Sequence, residues 1–174
     1  MKNTRKLVLA AMLLALGVIL PQAFHAIPNA GSIFLPMHIP VLICGMVTGP
    51  FYGTVVGFLT PFLSHLIFGM PPAAVLPSML CELTVYGLAT GLLTQIIRIR
   101  PLVAKVYAVL ISSMLLGRIT YGILNALIFR AGTYSLAAWL SAAFTTALPG
   151  IIIQLVLIPA LVVALAKAKL IEIQ

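Results

Sequence analysis

Six apolar stretches, at residues 6–25, 33–49, 52–68, 76–97, 104–129 and 136–166, follow one another with only short connections. A helix that crosses the hydrocarbon core of a bilayer needs about 20 mostly apolar residues. Of the 174 residues, 63% are apolar and only 7% are charged, and the mean hydropathy is +1.23. So few charged groups cannot cover a water-soluble particle, which excludes a soluble enzyme, a disordered tail and a nucleic-acid-binding module. The expected fold is an all-α integral membrane protein, with six transmembrane helices in one compact bundle and a single domain over residues 1–174. The second and third stretches are short and are parted by Gly49-Pro50, so a re-entrant hairpin is the competing reading there. The first stretch follows Lys2, Arg5 and Lys6 as a secretory signal would. Neither Pro21-Gln22-Ala23 nor Phe24-His25-Ala26 forms a good cleavage site, so it is read as a retained helix.

The formal net charge is +8, and its placement orients the bundle. With the N-terminus inside, Lys2, Arg5, Lys6, Arg98, Arg100, Lys105, Lys167 and Lys169 are all cytoplasmic, which is eight of the ten basic residues. Arg130 falls in an outer loop and Arg118 within the fifth stretch. Positive charge stays on the cytoplasmic side, so both ends are expected inside. Cys44 and Cys81 lie in apolar runs and read as small buried hydrophobes.

The outer loops carry prolines and polar groups. Residues 23–38 hold His25, Asn29, Ser32 and His38 beside Pro28 and Pro36; residues 69–77 run from Gly69-Met70-Pro71-Pro72 to Pro77; residues 130–135 read Arg-Ala-Gly-Thr-Tyr-Ser. Proline restrains its own backbone and the preceding residue, so these loops suit a shaped binding rim; they equally suit plain helix ends. Small residues recur every fourth position at Gly45, Gly49, Gly53 and Gly57, at Gly87 and Gly91, and at Ala11 and Ala15. Such a face lets helices approach closely, and for the glycines packing within the chain is the preferred reading.

Ionisable residues inside a membrane are costly, and Glu82 and Arg118 are the two clear cases. Tyr86 follows Glu82 by four residues, on the same helical face. Tyr121, Gly122 and Asn125 follow Arg118 at three, four and seven residues, and Trp139, Thr145, Thr146 and Gln154 interrupt the last stretch. Three successive helices thus offer polar stripes in apolar surroundings, the make-up of a small-molecule pocket. The plainer alternative is a Glu82–Arg118 pair that only locks two helices together. No aspartate is present, and Ser64 and His65 are sequence neighbours that face different ways on a helix, which weakens an intramembrane enzyme. His25, His38 and His65 match no metal-ligand spacing, so no metal is expected. No Walker sequence occurs, so the chain is not expected to hydrolyse ATP itself.

A chain of this size with six helices resembles the substrate-binding S component of energy-coupling factor (ECF) transporters. The resemblance rests on Ala11-Met-Leu-Leu-Ala15 in the first helix, on Leu-Pro-Met-His-Ile-Pro-Val-Leu-Ile-Cys-Gly at 35–45, on Gly-Pro-Phe-Tyr-Gly at 49–53 and on Cys-Glu-Leu-Thr-Val-Tyr-Gly at 81–87. It implies a transport subunit of the bacterial cell membrane, not an enzyme and without a cofactor, that captures a water-soluble vitamin from outside. It implies as partners a transmembrane coupling subunit and two cytoplasmic ATPase subunits that use ATP, with membrane lipid around them and no nucleic acid. In that complex the subunit topples and releases its substrate inward. Ala11 and Ala15 would dock on the coupling subunit. The pocket would draw on His38, Glu82, Tyr86, Arg118, Tyr121, Asn125, Trp139 and Thr146. A buried arginine suits a carboxylate, and the similar branch points to pantothenate. Pyridoxine or hydroxymethylpyrimidine, stacked on Tyr86, Tyr121 or Trp139, are the alternatives if Glu82 neutralises Arg118, and a folate would want more room. A nickel or cobalt component is the remaining alternative, although Met1-Lys2 lacks the Met-His start of such relatives.

Overall fold

The computed structural model describes residues 3–24, 26–132, 134–171 and 173; Lys2, His25 and Thr133 lie outside the described residues. Every regular element among them is helical. In chain order they are α1 (Asn3–Ile19, continued by a tight turn of helix at Leu20–Phe24), α2 (Ala30–Phe34), α3 (His38–Thr48), α4 (Pro50–Phe68), α5 (Leu76–Ile96), α6 (Leu102–Leu124, continued as π-helix through Asn125–Phe129), α7 (Leu136–Leu140, continued as π-helix through Ser141–Thr146) and α8 (Leu148–Lys167). Six segments are long and apolar enough to span a membrane, with α2 and α3 together making the second. The chain is a multi-pass membrane protein. Arg5 Nη2 donates to the Leu170 carbonyl at 2.5 Å, so both ends lie on one face of the bundle, here the termini face.

Proline sets several helix starts: Pro50, Pro77 and Pro149 occupy the first turn of α4, α5 and α8, where a missing N–H costs nothing. Pro149 also corrects the expected last span of 136–166. Pro149 has no N–H to bond one turn back, and regular α-helix starts afresh at Leu148, although α4 and α8 accommodate Pro61 and Pro159 in their interiors. The chain turns at Ala147, leaving α7 and its π-helical continuation as a separate short segment over the end of the bundle opposite the termini, the far face.

The second span is broken within its length. Leu35 adopts the left-handed conformation (φ 51°) ahead of Pro36, and α3 begins at His38. Irregular backbone at membrane depth is tolerated where protein surrounds it. Leu35 and Met37 are buried, and the His38 N–H bonds the Leu35 carbonyl at 3.1 Å. Every residue of α3 is buried, so this short helix is the axle of the bundle, with α1, α4, α5 and α8 packed on it. The expected outer loop of 23–38 therefore contains α2, and His38 belongs to the core.

Glycines explain the tight join of α3, α4 and α5. A Cβ on Gly53 would overlap the Gly87 carbonyl, one on Gly57 the Leu83 carbonyl, and one on Gly91 the backbone of Pro50. Bare backbones in contact are the means of close packing in lipid, where burial of apolar surface drives nothing. The glycine stripe is thus used within the chain. Ala11 and Ala15, by contrast, are exposed on α1 among Leu7, Val8, Met12, Leu16 and Ile19, while Ala10, Gly17 and Val18 face the bundle.

Candidate functional site

A buried polar cluster sits where α3, α5 and α6 meet. Glu82 lies six residues into α5, about 9 Å from its far-face end at 1.5 Å per residue. Arg118 Nη1 is 3.1 Å from Glu82 Oε1, and the side chains are 8% and 4% exposed. One turn further along α5, the Tyr86 hydroxyl donates to the same Oε1 at 3.1 Å. His38 reaches the carboxylate from α3, with Nε2 at 3.8 Å from Oε2, beyond hydrogen-bond range. Its ring stands edge-on to Tyr86 with centroids 5.4 Å apart. The break at Leu35 is what turns position 38 toward α5.

Two glycines of α6 act as seats for aromatic rings. A Cβ on Gly117 would strike the Tyr86 ring, and one on Gly122 would strike Trp139. Trp139, from α7, donates through its indole Nε1 to the Arg118 carbonyl at 3.0 Å and meets Phe144 edge-on. The short segment over the far face is therefore tied to the helix that carries the arginine. Trp139 acts from α7, not from the last span.

Above Arg118 the same face of α6 rises through Tyr121 to Asn125. Asn125 Nδ2 donates to the Tyr121 carbonyl at 2.8 Å, and the residue is 1% exposed. The helix widens to π-helix from Asn125, a distortion that often accompanies functional sites. Tyr134, in the link between α6 and α7, leans on Arg130, whose guanidinium carbon is 5.9 Å from the ring centroid. Burial, and then the neighbouring Tyr121, push the Tyr134 phenol above its ordinary range, so it remains a neutral hydroxyl. Tyr134 is not among the residues that the sequence singles out, although a lone aromatic in a short polar link marks it.

Hydrogen bonding in the cluster is incomplete. Arg118 Nε and Nη2, both ring nitrogens of His38 and Asn125 Oδ1 are buried without a hydrogen-bond partner, as is the Tyr134 hydroxyl; Gln154 Nε2 on α8 and, elsewhere, Gln22 Nε2, Ser64 Oγ and Ser113 Oγ are in the same state. Most buried polar groups in folded proteins are satisfied, so these open groups call for partners, whether water or a bound solute. Nε and Nη2 form one edge of the guanidinium, with two parallel N–H groups at the spacing of a carboxylate's oxygens. Gln154 lies one turn inward from Gly150, whose position against the Ile33 and Phe34 backbone sets its level in the bundle.

Of the residues named from sequence, the structure brings His38, Glu82, Tyr86 and Arg118 into one cluster, with Tyr121, Asn125 and Trp139 attached to it. Thr146 is exposed at the end of the second π-helical segment, and Thr145 beside it is exposed too. The polar groups thus come from α5, α6 and α7, which lie within the last three stretches, and additionally from α3, which supplies His38. His65 Nδ1 is engaged with the Pro71 carbonyl at 2.7 Å, and among the described residues no three His, Cys, Asp or Glu side chains group as metal ligands. An open groove of about 440 Å³ between α6 and α8 is apolar apart from Tyr107 and Lys167 and lies toward the termini face, away from the cluster.

The profile of the family described as "ECF transporter, substrate-specific component" matches residues 5–162, nearly the whole chain. Comparison with curated proteins and with solved structures yields no match.

Proposed function

The chain belongs to the substrate-specific components of ECF transporters, and from that premise we propose that it captures a small carboxylate-bearing vitamin, pantothenate first, on the open edge of Arg118. The family makes it the membrane-embedded substrate-binding subunit of such a transporter. The single observation that supports the carboxylate is the unpartnered, buried Nε–Nη2 edge. A guanidinium offers planar, bidentate recognition that a lysine does not. Glu82 holds the other side of the group through Nη1, and Trp139 holds its backbone. Asn125 and Tyr134 lie on the far-face side, where a solute entering from that face would pass.

A neutral ring ligand such as pyridoxine or hydroxymethylpyrimidine is the second reading. The closed Glu82–Arg118 pair favours it, since that pair already sums to zero. Against it, Tyr86 is seated on Gly117 and Trp139 on Gly122, which commits aromatic surface to helix packing.

In our reading the termini face is cytoplasmic, the membrane is the bacterial cell membrane, and release requires a coupling subunit with two ATPases. The exposed Ala11–Ala15 face of α1 is the surface we assign to the coupling subunit. ATP hydrolysis belongs to those partners. Equilibrium binding of radiolabelled pantothenate to the purified protein tests the substrate, with mass spectrometry of co-purifying small molecules beside it. Stoichiometric, tight binding is expected. A pyridine or pyrimidine in the mass spectrum, with no pantothenate bound, would transfer the assignment to the second reading.

A further inference from the structure

We propose that the protein takes up its anionic substrate together with one proton, which His38 accepts. The proposal rests on the carboxylate reading above and adds a charge balance to it. In the free protein Glu82 and Arg118 sum to zero at 3.1 Å. A carboxylate on the open edge of Arg118 brings one further negative charge into a site whose His38, Glu82 and Arg118 side chains are 2%, 4% and 8% exposed. A net charge buried away from water is strongly unfavourable unless something nearby compensates it.

His38 is the group at hand. Its Nε2 faces Glu82 Oε2 at 3.8 Å, and neither ring nitrogen makes a hydrogen bond, so a second ring proton breaks no existing bond. The balance is simple: substrate carboxylate, one proton from water and a neutral imidazole become a bound carboxylate and an imidazolium. Glu82, Arg118, imidazolium and substrate then again sum to zero. Glu82 is the poorer acceptor, because a proton there would weaken its contacts with both Arg118 Nη1 and the Tyr86 hydroxyl.

The charged and titratable groups that face His38 are few. From α5 they are Glu82 and Tyr86, and from α6 Arg118. α1, α4 and α8 also pack around α3, but their ionisable groups are remote. Arg5, Lys6, Tyr52 and Lys167 sit toward the termini face, and His65 is held by Pro71. The buried polar side chain of α8 is Gln154, which is neutral.

Calorimetric titration of the full-length protein in detergent with pantothenate tests the idea, at pH 6.5 to 8 in two buffers of different ionisation enthalpy. The expected result is close to one proton taken up per pantothenate at pH 8, with Kd rising roughly tenfold per pH unit at the alkaline end. His38→Gln should abolish the uptake and flatten the profile. Glu82→Gln provides an independent check, since Arg118 and the substrate then balance alone and uptake should again vanish. Pantothenate binding that is equally tight across the range, without buffer-dependent heat, overturns the proton linkage and leaves the carboxylate reading standing. Full uptake in His38→Gln overturns the role of His38. No pantothenate binding by the wild-type protein at any pH sinks the carboxylate reading itself, and this proposal with it.

Discussion

Arg118 meets Glu82 through Nη1 alone, at 3.1 Å, and keeps its Nε–Nη2 edge buried and unpaired. A pair made only to lock two helices would have no reason to leave that edge bare. Arg118→Lys keeps the charge beside Glu82 but loses the planar fork. It should weaken pantothenate binding by about 1.5–3 kcal/mol, the worth of a charge-assisted hydrogen bond, which is at least tenfold in Kd. Its apparent melting temperature should stay near the wild-type value. Arg118→Ala should instead destabilise by about 3–5 kcal/mol, since it strands Glu82 as an unpaired buried charge. Thermal unfolding measured beside binding separates the two; unaltered pantothenate affinity in Arg118→Lys would remove Arg118 from the list of ligands.

Trp139 and Gly122 supply a second test. Gly122→Ala pushes a methyl group into the indole, and Trp139→Phe deletes the bond to the Arg118 carbonyl. Each should cost pantothenate affinity by about 0.5–1.5 kcal/mol, the net worth of one hydrogen bond, with little change in yield. A direct binding assay reads this, and full affinity in both variants would reduce the α7 contact to a packing role.

Gly53 behaves differently, because its neighbour is backbone. Gly53→Val sets a side chain against the Gly87 carbonyl, which has no rotamer to escape by. Overpacking costs typically about 1–3 kcal/mol, so the purified variant should melt several degrees lower. A melting temperature equal to the wild-type value would show that α4 and α5 can separate freely.

The exposed face of α1 predicts a split between binding and transport. Ala11→Phe with Ala15→Phe should leave vitamin binding and melting temperature unchanged, since neither residue packs inside the bundle. Uptake by cells, and co-purification of the coupling subunit, should be lost. Retained uptake would assign the partner to another surface.

Orientation is open to labelling. In a background with Cys44 and Cys81 replaced by Ala, Ser135→Cys should react with a membrane-impermeant maleimide added to intact cells, whereas Arg100→Cys should react only after lysis. Ser135 belongs to the far-face link and Arg100 to the loop between α5 and α6. The reversed pattern would invert the bundle in the membrane.

Hydropathy made the six crossings legible, because the solvent around each is greasy. It could not tell lipid from protein: α3 is wholly interior, yet its segment scores between spans that face the bilayer. Glu82, Tyr86 and Arg118 could be read ahead of the structure, since four-residue spacing fixes a shared face and intramembrane charges are rare. The path of His38 into the core could not, because it depends on one left-handed residue, Leu35, where a leucine carries no sign of positive φ. Thr146 reads as part of a stripe only if 136–166 is one straight helix. The turn at Ala147 ended that register.

The interruption in the second crossing sets the phase of everything after it. Each residue of α-helix advances the side chains by about 100°, from 3.6 residues per turn. Deleting or inserting a single residue between Phe34 and His38 would therefore point a different side chain at Glu82, although no polar group had been altered. Chemistry at this spot is encoded as much by the count of residues along the backbone as by the identity of any one of them.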